Sequence, residues 1–540
     1  MYTEKGELFT TKMLELYGKY EDTLNSIVSH RDQYDKGTDP ADEPYRRILK
    51  TYDMSVQING SDRDISAALH ATCLWYIFKY ISGDDEDPTL FLDDQPPNKK
   101  GEVSPPKLNL NKLAMFLIRK YCIVSANDTI YCYIDDKYYE TQDRLSKDLV
   151  KLLMLIGFSD HAKIKETVND IIYRVKNITV KFREFPFNKK SKFLIPVRNG
   201  VIVRRNLNML LSNSPVWGFT FSLPVIYDPK ISTTTIKDFL SSLVDTEEEY
   251  ELLIQIPAHA LLQDENYQQA YLLTGSGSNG KSTLITLITK LVGSTNVTAV
   301  SLQELNDNRF APAELQGKLL NMFPDLPSKS VKTTGVFKAL TGGDEITVEK
   351  KFCQPFKMRN KAVFCFSANS LPEVSDSSYA FWRRWGIVNF PKTFKVDPTL
   401  IGKLTTPENL SGFLNLVIDK MDRIEKYGLT RSTKVEEAMG AWKKRSNSAY
   451  AFVTDMIEKV PTGYIRYDTL YNLYLNYCEE QDFTQMGKPK LTTELEKIGA
   501  IIGHASEDQA RVKVVKGIRI KKKEMPEIKS PDRDDSNVFE

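Results

Sequence analysis

Tyr271-Leu272-Leu273-Thr274-Gly275-Ser276-Gly277-Ser278-Asn279-Gly280-Lys281-Ser282-Thr283 decides the reading of this chain. Tyr271 to Thr274 predicts a short apolar strand, Gly275 to Ser282 matches GxxxxGK[ST], and Thr283 to Val292 has helical periodicity. The strand before and the helix after make this a phosphate-binding loop rather than a glycine-rich turn. Its backbone N–H groups must turn inward around phosphates, a path that a Cβ would obstruct. The loop and helix start, Gly275, Ser276, Gly277, Ser278, Asn279, Gly280, Lys281, Ser282 and Thr283, are therefore the expected nucleotide contacts. Lys281 should reach the β- and γ-phosphates, and the Ser282 hydroxyl should ligate Mg²⁺ carried in with ATP.

Such a loop needs a carboxylate at the end of a neighbouring strand. Leu319-Leu320-Asn321-Met322-Phe323 leads to Asp325, about forty residues after Lys281, which makes Asp325 the second expected Mg²⁺ ligand. Pro324 and Leu326 flank it, so the usual adjacent carboxylate that would polarise a water is missing. Glu314 and Asp325 itself both remain open as the catalytic base.

Three further stretches follow in order: Phe337-Lys338-Ala339-Leu340-Thr341-Gly342-Gly343-Asp344-Glu345-Ile346-Thr347-Val348-Glu349-Lys350-Lys351, then Ala362 to Asn369, then Phe381-Trp382-Arg383-Arg384-Trp385. With Ser301-Leu302-Gln303-Glu304-Leu305 and Arg309-Phe310, this set resembles the superfamily 3 helicases. The likeness is to the branch of the poxvirus D5 protein, phage P4-type replication proteins and archaeal plasmid primase-helicases, over about Leu194 to Phe394. The resemblance implies an α/β fold with an AAA+-like P-loop ATPase core. It makes Asn369 a sensor of the γ-phosphate or attacking water. It makes Arg383 or Arg384 an arginine finger acting on the adjacent subunit's nucleotide, which implies a ring, a hexamer by family. Lys350 and Lys351 fall where the family places a channel hairpin that grips DNA without reading sequence. Val197-Arg198-Asn199-Gly200-Val201 with Tyr227-Asp228-Pro229 is similar to the D5-type domain preceding such motors.

Four blocks and a tail result: an acidic, mostly helical N-terminal region with linker (1–107), a D5-type α+β domain (108–233), the motor (234–408), a helical and winged-helix-like domain (409–523), and a disordered tail (524–540). Asp84 to Pro106, rich in acids and prolines, should be an exposed loop. Asn199-Gly200 carries the type I′ hairpin signal, and Asp135-Asp136 reads as a surface turn rather than a metal site. Between Lys488 and Lys523 ten basic residues face four acidic ones. Helices at 449–458, 467–480 and 492–498 precede Arg511 to Ile520, read as a hairpin turning at Lys516-Gly517. Three helices and a basic hairpin resemble a winged helix, with Lys513, Lys516 and Arg519 as DNA contacts.

The 540 residues suggest about three domains by length alone, and 73 Lys+Arg against 71 Asp+Glu leave the partner class open. Six cysteines without a CxxC pair exclude a zinc ribbon and, with a polar N-terminus and no long apolar run, predict a cytoplasmic protein without membrane partners. The expected function is an ATP-dependent replicative helicase of a plasmid or virus, moving 3′ to 5′ by resemblance on single-stranded and forked DNA. The alternative is an ATP-dependent initiator or remodeller that does not unwind processively. No primase constellation is visible in residues 1–250, so a primase or polymerase is expected as a partner or on another segment.

Overall fold

Five parallel strands form the central sheet of the computed structural model, in the order Val297–Thr298, Leu320–Phe323, Val363–Ala368, Ala270–Thr274, Trp385–Asn389. Residues 4–521 are described, apart from 36–38, 59–62, 82–90, 98, 100–105, 127–128, 158–159, 183–186, 189–192, 205, 265, 328, 352–353, 377, 431–432 and 508–509.

A parallel strand is covered on both faces, so its sequence runs apolar without alternation. Val363–Ala368 is buried throughout. The period of two nevertheless sorts its neighbours: Tyr271, Leu273, Met322, Cys365 and Val388 join one core, and Leu272, Phe364, Phe366 and Ile387 the other. The first core receives Leu253 and Ile256 of helix Glu247–Leu262, Leu287 and Ile288 of Lys281–Val292, and Phe413 and Val417 of Pro407–Tyr427. On the opposite face Trp385 stacks on Phe337 at 5.0 Å, and Trp442 of helix Thr433–Ser446 meets it edge-on at 5.1 Å. The helices at 407–427 and 433–446, which the sequence groups with the C-terminal block, are thus packed against the central sheet.

The first core also continues upstream. Helices Glu4–Tyr17, Glu21–Ser29, Glu43–Ile58 and Arg63–Tyr80 pack with the antiparallel strands Leu194–Val197, Gly200–Val203 and Asn206–Leu211. Thr72 donates to Ser214 at 2.8 Å and the Tyr17 hydroxyl to the Arg119 carbonyl at 2.9 Å. Between these parts lies a four-stranded sheet, flanked by helices Leu110–Lys120, Gln142–Leu155 and His161–Ile178. The last two were not apparent from sequence. The C-terminal unit runs helix Ser448–Met456, strand Ile457–Arg466, helices Tyr467–Glu480 and Lys488–Lys497, then strands Ile501–Glu507 and Ala510–Ile520, with the last strand in the middle of the sheet.

Several local expectations are corrected. Arg511 to Ile520 is no hairpin: Ala510–Ile520 is one strand pairing with both neighbours. Lys516-Gly517 does not turn, because Val460 to Gly463 bulges out opposite Gly517 and lets the ladder resume. The strand Ile457–Arg466 was hidden by Pro461 and Gly463, which sit in that bulge. In the hairpin at 194–203, Val197 pairs with Gly200, so Arg198-Asn199 forms the turn, and neither has a positive φ. Asn199 is committed elsewhere, its side chain accepting from Tyr227 N and donating to Tyr227 O. The type I′ geometry occurs at Asp135-Asp136, with φ of 48° and 64° between paired Ile134 and Lys137. The span 84–106 is not wholly an exposed loop: Phe91 is buried and Leu92–Asp93 pairs with Lys107–Leu108. Its acidic run, and the tail 524–540, lie outside the described residues.

Five cysteines are free and buried, and no cluster of three or more His, Cys, Asp or Glu that could hold a metal occurs among the described residues. Among them no helix is long and apolar enough to cross a membrane.

His259 is 3% exposed behind the central sheet, with Nδ1 3.2 Å from the Tyr271 hydroxyl. Burial pushes its pKa down to about 4, against the weaker opposing effect of a hydrogen bond from the ring to the Tyr267 backbone. A folded value below the unfolded one means stability is complete above about pH 6.5 and declines as pH falls toward 4. The loss should reach about 3 kcal/mol. Urea titrations at pH 7.5 and 4.5 should show a smaller difference for His259→Gln than for wild type; equal differences would refute the assignment.

Candidate nucleotide-binding site

The loop after Ala270–Thr274 is shaped by its small residues. A Cβ on Gly275 would lie 2.1 Å from Asn279 Nδ2, and one on Gly280, at φ +84°, would lie 2.5 Å from Leu243 Cδ2. Gly280 ends the loop, and Lys281 begins helix Lys281–Val292, whose positive dipole end faces the loop.

Lys281 is 5% exposed, and its Nζ donates to the Gly275 carbonyl at 2.8 Å, Asn279 Oδ1 at 3.0 Å and Asn369 Oδ1 at 3.1 Å. Burial lowers its pKa and the Asp325 charge opposes that. An ammonium held only by neutral oxygens, at a helix N-terminus, suits a polyanion. Asn279 Nδ2 is buried with no hydrogen-bond partner, a further donor in the same loop. The residues therefore fit a nucleotide polyphosphate. The exposed Ser282 and Asp325 supply oxygens of the kind Mg²⁺ takes.

The sheet order brings the other candidates in. Val363–Ala368 lies between the loop strand and Leu320–Phe323, so Asn369 leaves the sheet between Lys281 and Asp325. Leu326 N donates to Ser367 O at 2.7 Å and holds the Asp325 segment against that strand. Glu314 sits exposed on the short turn Ala311–Leu315, and no hydrogen bond or ion pair among the described residues joins it to Lys281, Asp325 or Asn369.

The two arginines have different surroundings. Arg384 is 7% exposed; its guanidinium donates to Thr341 Oγ1 at 2.9 Å, Lys338 O at 3.3 Å and the Ala380 carbonyl. Arg383 is exposed and donates to Gln268 Oε1 at 2.5 Å. Gln268 carries no motif and could not have been found from sequence. Ala270 pairs with Trp385, so Arg383 lies at the end of the sheet opposite the loop, about 13 Å away along the strand.

Glu345–Val348 and Phe356–Arg359 pair as an antiparallel hairpin, with Lys350 and Lys351 at its tip. Lys350 Nζ is 3.2 Å from Glu140 Oε2, and Phe352 lies outside the described residues. In the C-terminal sheet Lys513, Lys516 and Arg519 are exposed. Lys513 sits 4.3 Å over the Tyr467 ring, and Arg519 is ion-paired with Glu458.

Residues 273–384 match a family of unknown function, DUF5906. The chain is similar to a putative helicase, L207/L206, of Acanthamoeba polyphaga mimivirus, 24% identical over 251 residues, covering 42% of this chain and 26% of that protein. It is also similar to the putative helicase 022R of Frog virus 3 (isolate Goorha), 23% identical over 272 residues, covering 44% and 27%. The chain thus spans about a quarter of the length of these curated relatives. Among solved structures, the apo NrS-1 C-terminal region aligns with 73% of this chain and 95% of its own, at 13% identity and a TM-score of 0.41.

Proposed function

We propose that this chain is an ATP-dependent DNA helicase motor of superfamily 3 type, working in replication. The observation that carries this reading is that Asn369 follows the strand lying between the Lys281 loop and Asp325 and hydrogen-bonds Lys281, with Arg383 at the far end of the same sheet. The strand order and the similarity to two viral putative helicases support it.

In this reading Lys281 exchanges its three internal acceptors for the β- and γ-phosphates of ATP. Ser282 and Asp325 would hold Mg²⁺, which would supply charge neutralisation at those phosphates. Asn369 positions the attacking water, and Asp325 or Glu314 accepts its proton. Arg383 cannot reach the loop of its own chain, so it acts as the finger on an adjacent subunit's nucleotide, whereas Arg384 braces the segment that presents it. A finger acting in trans calls for a ring, which we take as a hexamer. The hairpin lysines Lys350 and Lys351 would grip one strand in the channel, moving 3′ to 5′. The C-terminal unit would act as a winged helix, a reading that its helix–strand–helix–helix–strand–strand order supports, and Lys513, Lys516 and Arg519 would face the DNA backbone. Blocks 1–107 and 108–233 would form the collar ahead of the motor, which begins at 234 and takes in the helices Pro407–Tyr427 and Thr433–Ser446 beyond 408.

The test is hydrolysis and strand displacement on forked DNA, with mass photometry in the presence of ATP. We expect ATPase stimulated by single-stranded DNA, a ring, and displacement of the annealed strand. DNA-stimulated hydrolysis without displacement would favour an initiator or remodeller. Hydrolysis indifferent to DNA in a monomer would refute the helicase reading.

A further inference from the structure

A cleft of about 170 Å³ opens between the middle block and the edge of the central sheet, and three lysines from distant parts of the chain line it. Lys137 follows the Asp135-Asp136 turn, Lys318 precedes Leu320–Phe323, and Lys350 comes from the hairpin tip. Lys137 is 6% exposed, yet among the described residues its Nζ donates only to Thr295 Oγ1, at 2.9 Å, and it lies 4.8 Å over the Tyr139 ring. Lys318 Nζ donates to the Thr295 carbonyl at 2.8 Å. Among the described residues neither has a carboxylate within ion-pair distance, and the one acid lining the cleft, Glu140, is taken by Lys350.

A buried cation without a counter-ion is unfavourable unless something supplies the missing charge. Burial and then Lys318 lower the Lys137 pKa, with only partial relief from Asp135. The loop bearing Thr295 also follows the C-terminal end of helix Lys281–Val292, where a negative dipole end attracts cations. The helix end draws both Lys137 and Lys318 to Thr295, but it does not supply the full charge that two converging ammonium groups beside Lys350 require. We propose that Lys137, Lys318 and Lys350 form a binding site for a phosphate-class oxyanion, separate from the nucleotide loop. Its ligand is a phosphodiester of a nucleic-acid strand or a free polyphosphate. Thr295 connects the site to the nucleotide loop through one helix about 18 Å long.

Lys318→Gln, Lys137→Gln and Lys318→Arg are made in the full chain on a Lys281→Ala background, so that polyphosphate does not report on the loop. Tripolyphosphate should raise the melting temperature of the parent. The rise should fall by at least half in both glutamine variants and persist in Lys318→Arg. In parallel, binding of a labelled single-stranded oligonucleotide is measured against salt by anisotropy. A nucleic-acid phosphate at this site predicts that the log–log slope shrinks by about 0.7 per lysine removed. A reduced slope assigns the site to nucleic acid, and a reduced tripolyphosphate response with unchanged slope assigns it to a free polyphosphate. If both readouts are unchanged, the lysines only stabilise the helix end and the proposal fails. Should Lys137→Gln not fold, the less buried Lys318 decides. Neither readout requires hydrolysis, so a failure of the helicase reading leaves this test intact.

Discussion

Lys281→Ala is expected to lower ATP turnover by at least about 10²- to 10³-fold, or ~3–4 kcal/mol of transition-state stabilisation. The loop's only side-chain cation is Lys281, and its three acceptors are neutral oxygens that can be given up when a polyphosphate arrives. Removing the ammonium leaves the backbone cradle and helix dipole, so nucleotide affinity should fall less than turnover. Folding should suffer less than turnover, because the three acceptors left unpaired are partly offset by the removal of a buried cation held without a direct ion pair. Steady-state hydrolysis together with the melting temperature separates these effects. Turnover retained within tenfold would place the phosphate contact elsewhere.

Arg383→Ala is expected to cost about 10³-fold or more in hydrolysis by the assembled protein, the usual scale for an arginine finger. Binding of nucleotide by the single chain should be unchanged, since Arg383 sits at the far end of the sheet from its own loop. Arg384→Ala should behave differently. Its guanidinium satisfies the Thr341 hydroxyl and the Lys338 and Ala380 carbonyls, so truncation empties a buried site and leaves partly buried acceptors unpaired, which should lower the melting temperature. Mixing Lys281→Ala with Arg383→Ala chains gives the decisive measurement. Assemblies then contain interfaces that pair an intact loop with an intact finger, so activity should reappear. No recovery on mixing, in assemblies shown to exchange subunits, would mean that Arg383 does not act across an interface.

How much was legible beforehand differs from element to element. The loop, its strand and its helix could be read directly, because the glycines are demanded by backbone path and the apolar run by two-sided burial. The last strand was misread as a hairpin: Lys516-Gly517 has turn composition, and only the partner strand Ile457–Arg466, itself interrupted by Val460 to Gly463, shows that the glycine faces a bulge. Asn199-Gly200 failed for a related reason, since the Asn side chain is spent on Tyr227, twenty-eight residues away. Lys137 and Lys318 drew no attention at all. A lysine's significance there depends on whether a carboxylate stands opposite, and that is a property of packing.

The sequence by itself determined the glycine-rich loop between its strand and helix, the strand-to-Asp325 spacing and the order of motifs, because each follows from local backbone sterics or short-range periodicity. The tertiary structure alone decided that Asn369 meets Lys281, that Arg384 is consumed internally while Arg383 stays exposed, and that three separate lysines share one cleft. Those relations depend on strand order and on which side chains find partners, and both are set by contacts between residues far apart in the chain.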